Sequence, residues 1–483
     1  YQSKNKMQQE LGPDYVQKVR ARFPEVPGRA DYCVFWFRRA HDELPKGGRA
    51  GLVGTNTIRQ NYSREGGLDY IVGNGGTITE AVSSQPWSGD ANVHVSIVNW
   101  IKGEAKGKKR LTFIVGTRED CEEETFELDV INSSLSKTID LTSALPLACN
   151  VESKTCFQGQ THGHEGFLLT PDEAQGYIST NSKNGEILFP YLTADEMIGI
   201  PNSLPTRFVI DLHPRTVIEA TKYKGPFEHV KATVLVTREE AAKEEESRNA
   251  KALANNPKAK VNHHHRNFLN QWWLLSYPRQ DMVQVISKLP RFISCGQVTK
   301  RPIFDFIHSD IRPNAALMVF SFADDYSFGV LQSGLHWAWF TGKCSTLTER
   351  FRYTSNTVYD TFPWPQAPSL GNVRKVAKAA VELRALRRKI MADNGWSLRE
   401  LYRTLETPGK NPLRDAHEDL DAAVRAAYGM KPKEDPLAFL LKLNQDISQA
   451  VFPVKKITAL GLPPCVDNPQ EFITDDCVRM GEE

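Results

Sequence analysis

Two groups of basic, aromatic and amide side chains have the residue types that can hold a nucleic acid. They are Lys300 with Arg301, and Arg350 with Arg352, Tyr353 and Asn356. Lys and Arg neutralise phosphates, whereas Arg and Asn can form paired hydrogen bonds with base edges in the major groove. Taken without any resemblance to known proteins, these charges are better explained as ordinary surface salt bridges.

Metal binding is not indicated by the histidines or the cysteines. Successive side chains of a strand alternate between faces, so one ion could not collect His263, His264 and His265, and we interpret this tract as a polar turn. The eight cysteines contain no CxxC pair and are typical of reduced thiols in a cytosolic protein. The sequence therefore predicts no metal site and a cytoplasmic location.

The composition is that of a globular chain with balanced charge. Its 483 residues are 40% hydrophobic and carry a formal net charge of +2. This length suggests about two to four domains. With so little net charge, any nucleic-acid surface would have to be a local patch. No apolar run reaches about 18 residues, so the sequence predicts no membrane helix and no membrane partner.

The elements that must position these residues begin with alternating helix and strand. The segment ADYCVFWFRRAHDELPKGG has apolar residues at helical spacing and predicts an amphipathic helix that ends at Gly47 and Gly48. The segment RAGLVGTN predicts a short buried strand, and NVHVSIVNWIKG and RLTFIVGT predict longer ones. Helices that alternate with buried strands imply an α/β sheet.

The rest of the chain divides into a strand-containing middle and a helical end. Short apolar strings such as FPYLTADEM and RFVIDLHP predict strands, and the charged run TREEAAKEEESRNAKALANNPKAK predicts a solvated helix. From Val373 onward the pattern is mostly helical, with Gly395 and Gly429 placed where helices would end.

Several strings, taken in their order and spacing, resemble one protein family. They are GRAGLVGTNTIRQNYSREGGLDYIVGNGGTI, NVHVSIVNWIKG, CFQGQTHGHEGFLLTPDEA, FPYLTADEM, RFVIDLHP and FRYTSNTVYDTFPWPQ. These strings resemble the class I SAM-dependent DNA adenine methyltransferases with a fused target-recognition domain. That family includes single-chain type IIL restriction–modification enzymes and relatives in BREX-like and DISARM-like defence systems.

The resemblance implies an architecture, a cofactor and a partner. Residues 1–125 would be the C-terminal half of a Rossmann-like methyltransferase sheet, 126–367 a mixed α/β target-recognition domain, and 368–483 a helical C-terminal domain. The complete enzyme would use S-adenosyl-L-methionine (SAM) and act on double-stranded DNA. The resemblance also favours DNA contact, over surface salt bridges, for the six residues named first.

Two further residues receive a role only through the resemblance. Asp31 resembles the start of the family's helix after the catalytic loop, which implies a contact near SAM or the target base. An ordinary N-cap is the alternative, since Asp is favoured there. His94 resembles a position in the late strand near the target-base pocket, and an outward-facing strand residue is the alternative.

Two segments that the family uses for chemistry are missing from the sequence. The chain has neither a Gly-rich SAM-binding loop after an early strand nor an Asn-Pro-Pro-Phe or Asn-Pro-Pro-Tyr string for the adenine amino group. Tyr1 therefore looks like a cut point, and we expect an N-terminal methyltransferase half or other defence-system subunits as partners. No residue of this chain is predicted to be catalytic. Two alternatives stay open: a specificity subunit that reads DNA without chemistry, and a scaffold in a defence complex.

Overall fold

The chain forms two compact units. The computed structural model describes residues 4–87, 93–116, 121–137, 139, 141, 143–257, 259, 261–343, 346–347, 350–449, 458 and 460–481. The first unit comprises residues 1–144, 341–352 and 437–442, and the second comprises 145–340, 353–436 and 443–483. The predicted division into domains 1–125, 126–367 and 368–483 stays a prediction. The two compact units group the residues differently, because most of the C-terminal helices belong to the second unit.

The first unit is built on a five-stranded sheet. Its strands are β1 (Arg49–Thr55), β2 (Gly76–Pro86), β3 (His94–Lys102), β4 (Lys109–Gly116) and β5 (Cys121–Leu128), in the spatial order β1-β3-β2-β4-β5. Strand β3 runs antiparallel to both β1 and β2, so β1 and β2 run parallel to each other. The chain joins these two strands through helical segments, which is the crossover that parallel strands require.

The described residues of this unit up to residue 73 form five α-helices. They are α1 (Lys4–Leu11), α2 (Pro13–Arg22), α3 (Cys33–Glu43), α4 (Asn61–Arg64) and α5 (Tyr70–Gly73), and a π-helical turn (Glu65–Asp69) joins the last two. Helix α3 ends at Glu43 rather than at the predicted Gly47, because Leu44 precedes Pro45 and is extended. On the inner side of this helix, Phe37 stacks on Trp100 of β3 with ring centroids 5.7 Å apart.

The second unit contains two four-stranded sheets. Their strands are β6 (Cys156–Gln158), β7 (Leu168–Leu169), β8 (Leu188–Leu192), β9 (Arg207–Ile210), β10 (Arg291–Gly296), β12 (Asp305–His308), β13 (Arg312–Pro313) and β14 (Leu317–Phe320); β11 (Val298–Thr299) follows β10. The spatial orders are β12-β10-β14-β6 and β13-β8-β9-β7. Within the first of these sheets, every pair of neighbours is antiparallel.

Helices surround these sheets and continue to the end of the chain. They are α6 (Ala148–Ser153), α7 (Pro171–Thr180), α8 (Ala194–Gly199), α9 (Val217–Ala220), α10 (Lys224–Val230), α11 (Val236–Asn255), α12 (His264–Asn270), α13 (Gln280–Ile286), α14 (Asp325–Gln332), α15 (Gly334–Lys343), α16 (Leu370–Asn394), α17 (Leu398–Arg403), α18 (Pro412–Tyr428) and α19 (Pro436–Ser448). The hairpin β15 (Thr346–Leu347) and β16 (Arg350–Arg352) lies in the first unit. Within the described ranges, no helix combines the length and apolar character of a membrane span.

The charged run and the histidine tract meet in one pair of helices. The run forms the predicted helix α11, but the polar turn predicted for His263–His265 is wrong, because His264 begins α12. The carboxylate of Glu245 in α11 accepts hydrogen bonds from the backbone N–H groups of His265 and Arg266, both at 3.1 Å. These bonds satisfy N–H groups that the first turn of α12 leaves without helical partners. Among the described residues, no group of His, Cys, Asp and Glu is arranged to hold a metal ion.

A buried ionic cluster ties the C-terminal segment into the second unit. Arg291 bonds the carboxylate of Asp325 at 2.9 Å and that of Asp476 at 3.1 Å. Arg384 of α16 contacts the same two carboxylates, with 2.7 Å between its Nε and Asp476. Beyond the cluster, Val478 exchanges backbone hydrogen bonds with β12, at 2.8 Å to Phe306 O and 2.9 Å from His308 N. Residues 474–478 therefore complete the core of this unit.

Candidate nucleic-acid interface

Lys300 and Arg301 follow β10 and β11 but have different surroundings. Lys300 is exposed. The guanidinium of Arg301 lies over the ring of Trp337, 4.6 Å from its centroid, and 5.4 Å from that of Tyr402. Burial lowers the pKa of Arg301 below its ordinary value. Lys300 is thus presented to solvent, whereas Arg301 packs against the aromatic side chains of its own unit.

Tyr353 is a core residue, and the prediction that it contacts DNA does not hold. Its side chain is completely buried, and its hydroxyl bonds Nε2 of His336 at 2.9 Å. Its ring stacks on Phe340 with centroids 5.1 Å apart. Burial raises the pKa of Tyr353 well above its usual range and lowers that of His336 to about 4. Tyr353 therefore belongs to the interior of the second unit rather than to a binding surface.

The remaining residues of this group are on the surface where they are described. Arg352, the last residue of β16, is exposed, and so is Asn356 in the π-helical turn Ser355–Tyr359. The backbone of Arg350 pairs with Leu347 in the hairpin, while its side chain lies outside the described part of the chain. Exposure leaves Arg352 and Asn356 able to meet a ligand, and their contact with DNA stays a prediction.

Asp31 joins the start of α3 to the end of β1. Its Oδ2 accepts hydrogen bonds from the hydroxyls of Thr55 at 3.1 Å and Thr57 at 2.6 Å. Its backbone N–H donates to Ser63 Oγ at 3.0 Å. The N-cap alternative is wrong, because α3 begins at Cys33 without a side-chain cap. Among the described residues, Oδ1 of Asp31 has no hydrogen-bond partner and could accept a bond from a ligand.

His94 is the first residue of β3. It pairs with Pro86 of β2, and its side chain is exposed, as in the outward-facing alternative. Residues 88–92, which precede it, lie outside the described residues, so its role in a base pocket stays a prediction.

The fold brings together three polar residues that sequence reasoning missed. Arg279 donates a hydrogen bond to Gln158 Oε1 at 3.2 Å. Gln158 Nε2 in turn donates to Ala315 O at 2.8 Å and to Gln297 Oε1 at 3.4 Å. Arg279 also has a φ of +48°, a left-handed conformation that is uncommon for a residue other than glycine. Because the three side chains come from distant parts of the sequence, no local spacing could have indicated them.

Comparison with known proteins relates the middle of the chain to DNA recognition. Residues 150–366 match the family model "MmeI, target recognition domain". The chain is also similar to "DNA methyltransferase A" of Bacillus subtilis (strain 168), with 33% identity over 130 residues, which are 26% of this chain and 14% of the relative.

A solved structure has the same fold over most of the chain. It is that of the type IIL restriction–modification enzyme MmeI in complex with DNA, with a TM-score of 0.68 and 19% identity. The match covers 92% of this chain and 56% of that one, so the chain spans about half of its structural relative. These findings confirm the predicted α/β fold class and the predicted family resemblance, and the match to the target recognition domain of MmeI spans residues 150–366.

Proposed function

We propose, from the match of residues 150–366 to the MmeI target recognition family model, that this chain reads a specific sequence of double-stranded DNA. The family match is the observation that carries the proposal. Exposed Lys300, Arg352 and Asn356 are our candidates for contacts with the duplex. Sequence recognition by this chain would direct a type IIL restriction–modification or related phage-defence methyltransferase to its DNA target in the cytoplasm.

We further propose that the complete enzyme methylates adenine at N6, and that a segment outside these 483 residues supplies the catalytic loop. The chain itself contains no Asn-Pro-Pro string. Within the described residues β1 pairs only with β3, and Val53 in β1 is 41% exposed. An edge strand presents N–H and C=O groups on which a further strand can be added. The edge of β1 is therefore where a methyltransferase half would extend the sheet.

The described residues offer little of a SAM site. Asp31 Oδ1 is an acceptor for a hydroxyl or amino group, and the hydroxyls of Thr55 and Thr57 hold the carboxylate in place. SAM, when bound, would supply the methyl group. One fixed acceptor without a Gly-rich loop does not make a cofactor site, so the contribution of this chain is positioning of DNA.

A specificity subunit that performs no chemistry is the second candidate. The absence of the Asn-Pro-Pro string and of the Gly-rich loop favours it. The two candidates differ only in whether a methyltransferase segment acts together with this chain.

One experiment tests the proposal and separates the candidates. The full 483-residue chain is incubated with a pool of random duplexes, and the bound fraction is sequenced. We expect a defined motif; a bound fraction as random as the input would contradict the proposed function. The motif is then offered with radiolabelled SAM to the chain alone and to the chain co-expressed with the gene segment preceding its coding sequence. Adenine labelling only with that segment supports the enzyme, and no labelling in either case favours the specificity subunit.

A further inference from the structure

One end of the sheet β12-β10-β14-β6 collects polar side chains from three parts of the sequence. Strand β6 ends at Gln158, which pairs with Met318 near the start of β14. Strand β10 ends at Gly296, which pairs with Leu317 at the start of the same strand. Gln158 and Gln297 therefore emerge at the same end of the sheet. Arg279 reaches this end through its hydrogen bond to Gln158, and Lys300 follows Gln297 by three positions.

The three side chains Arg279, Gln158 and Gln297 form a continuous hydrogen-bonded row. Arg279 Nη2 donates to Gln158 Oε1 at 3.2 Å, and Gln158 Nε2 donates to Gln297 Oε1 at 3.4 Å. We call this row the Arg279 triad. Among the described residues, the Nε2 group of Gln297 has no partner, so the row ends in an unused donor. Arg279 has no carboxylate within ion-pair distance among the described residues, so its charge is available to a ligand.

The backbone under Arg279 is held firmly. Thr161 and Tyr277 exchange backbone hydrogen bonds of 3.0 and 3.1 Å, and Gln160 Nε2 donates to Pro278 O at 2.8 Å. These bonds tie the segment before Arg279 to the chain that follows β6, and they support its left-handed φ of +48°. Such a conformation costs about 1–3 kcal/mol and persists where the surroundings over-determine it, often at functional sites.

The neighbours of the triad are those of a nucleic-acid surface. Tyr277 is 47% exposed, and the Arg279 guanidinium lies 5.6 Å from its ring centroid. Lys300 is exposed and follows Gln297 by three positions. Arg and Gln are side chains that make paired hydrogen bonds with guanine and adenine in the major groove. A fixed guanidinium with a spare amide donor therefore has the chemistry of base reading, whereas an exposed lysine suits a phosphate.

We propose that the Arg279 triad is a base-reading site of the recognition domain. Arg279 reads a guanine through O6 and N7, Gln297 bonds the adjoining base pair, and Lys300 contacts a phosphate nearby. Gln158 is a positioning residue that fixes the guanidinium through its Oε1. This inference rests on the proposed function, because it requires that the second unit binds duplex DNA.

The first test is Arg279→Gly. Glycine accepts a positive φ without strain, so this variant removes the guanidinium and keeps the backbone conformation. We expect its melting temperature to be no lower than that of the parent chain. In selection from random duplexes, it should lose sequence preference at one guanine of the motif and keep the other positions. Affinity for the parent motif should fall about tenfold or more.

Matched variants separate reading from general DNA attraction. Gln158→Met keeps the size of the side chain without the acceptor, and it should weaken the preference at the same guanine. Lys300→Ala should lower affinity for all sequences equally. Arg374→Ala is the control, because Arg374 lies in the same unit, has a side chain that is 60% exposed and forms an ion pair with Glu471. This variant should leave the selected motif and the DNA affinity unchanged.

The outcomes distinguish this inference from the proposed function. If the parent chain selects a motif and Arg279→Gly selects the same motif at every position, the base-reading site is refuted while DNA recognition stands. If the parent chain selects no motif, the proposed function fails and the inference fails with it. A motif that loses its preference only in the Arg279 and Gln158 variants supports both.

Discussion

At the scale of single residues, neighbours in sequence can have opposite roles. Lys300 is exposed, whereas Arg301 packs over Trp337 and Tyr402. We predict that Lys300→Ala changes the unfolding free energy by less than about 1 kcal/mol, because the residue is exposed. It should reduce the slope of log affinity against log salt by about one, since one phosphate contact is lost. DNA titrations at several salt concentrations measure this slope. An unchanged slope in Lys300→Ala would make this lysine an ordinary surface charge.

Arg301→Ala should instead lower the unfolding free energy by about 1–2 kcal/mol, because its contacts with Trp337 and Tyr402 are lost. Urea unfolding of the parent chain and of both variants measures this difference.

The buried His336 makes stability depend on pH. Its Nδ1 bonds Leu331 O at 2.7 Å and its Nε2 bonds the Tyr353 hydroxyl, which suits the neutral ring. Burial lowers the pKa of His336 to about 4, against about 6.5 in an unfolded chain. The unfolded chain therefore binds a proton between these values that the folded unit does not. Stability from this residue is fully present above pH 6.5 and is lost as the pH falls towards 4.

We predict that the free energy of unfolding decreases by roughly 3 kcal/mol from His336 alone over this window. Urea unfolding at pH 7, 5.5 and 4.5 measures the decrease. His336→Phe lacks the titrating ring, so its unfolding free energy should depend less steeply on pH even if it is lower at pH 7. The same steepness in parent and variant would show that His336 is not the titrating group.

Single residues were the hardest part of the site to predict from the sequence. Arg352 and Tyr353 are adjacent and were grouped together as DNA contacts, but Arg352 is exposed and Tyr353 is buried. The sequence could not tell that the interior contains His336 as a partner for the tyrosine hydroxyl. The sequence indicates Asp31 as a polar residue near a helix start. It does not indicate its hydrogen-bond partners Thr55 and Thr57, because these lie at and after the end of β1.

At the scale of elements, the ionic cluster joins α14, α16 and the segment 474–478. The buried carboxylate of Asp325 and the partly buried carboxylate of Asp476 face two buried guanidinium groups, Arg291 and Arg384. Burial alone would raise the pKa of Asp476, but its hydrogen bonds and the charge of Arg384 hold this pKa well below its ordinary value. The carboxylate therefore stays charged in the folded unit.

We predict that Asp325→Asn lowers the free energy of unfolding by about 3–5 kcal/mol, because it leaves buried guanidinium charge without its partner. Glu382→Gln is the matched control, since Glu382 forms an exposed pair with Lys378 on the outside of α16. An exposed pair contributes about 0–1 kcal/mol. Thermal and urea unfolding of the two variants measure the difference, and equal losses would contradict a special role for the buried cluster.

Periodicity predicted the long elements and missed the short ones. The apolar strands β1, β3 and β4, the charged helix α11 and the C-terminal helices all have strong local patterns. Strands β7, β11 and β13 have two residues each, and their pairing depends on partners far away in the sequence. The order β1-β3-β2-β4-β5 was likewise not derivable from local pattern, because any antiparallel arrangement satisfies the same alternation.

At the scale of the whole molecule, we predict that the 483-residue chain alone does not bind SAM measurably. Its sequence has no Gly-rich loop, and Asp31 offers a single acceptor. Calorimetry with SAM should show no heat of binding, while the same preparation should bind duplex DNA as a control for folding. Micromolar SAM affinity would show that the chain has a complete cofactor site.

The C-terminal segment 474–478 has a consequence for how the protein is made. A ribosome adds residues in order, and Arg291 and Arg384 are synthesised long before Asp476. Until Asp476 has left the exit tunnel, these two guanidinium groups lack one of their carboxylates, and β12 lacks the backbone partner that Val478 provides. We therefore expect the second unit to finish folding only after this segment has emerged from the ribosome. Until then, the part of its core that segment 474–478 covers stays open to solvent.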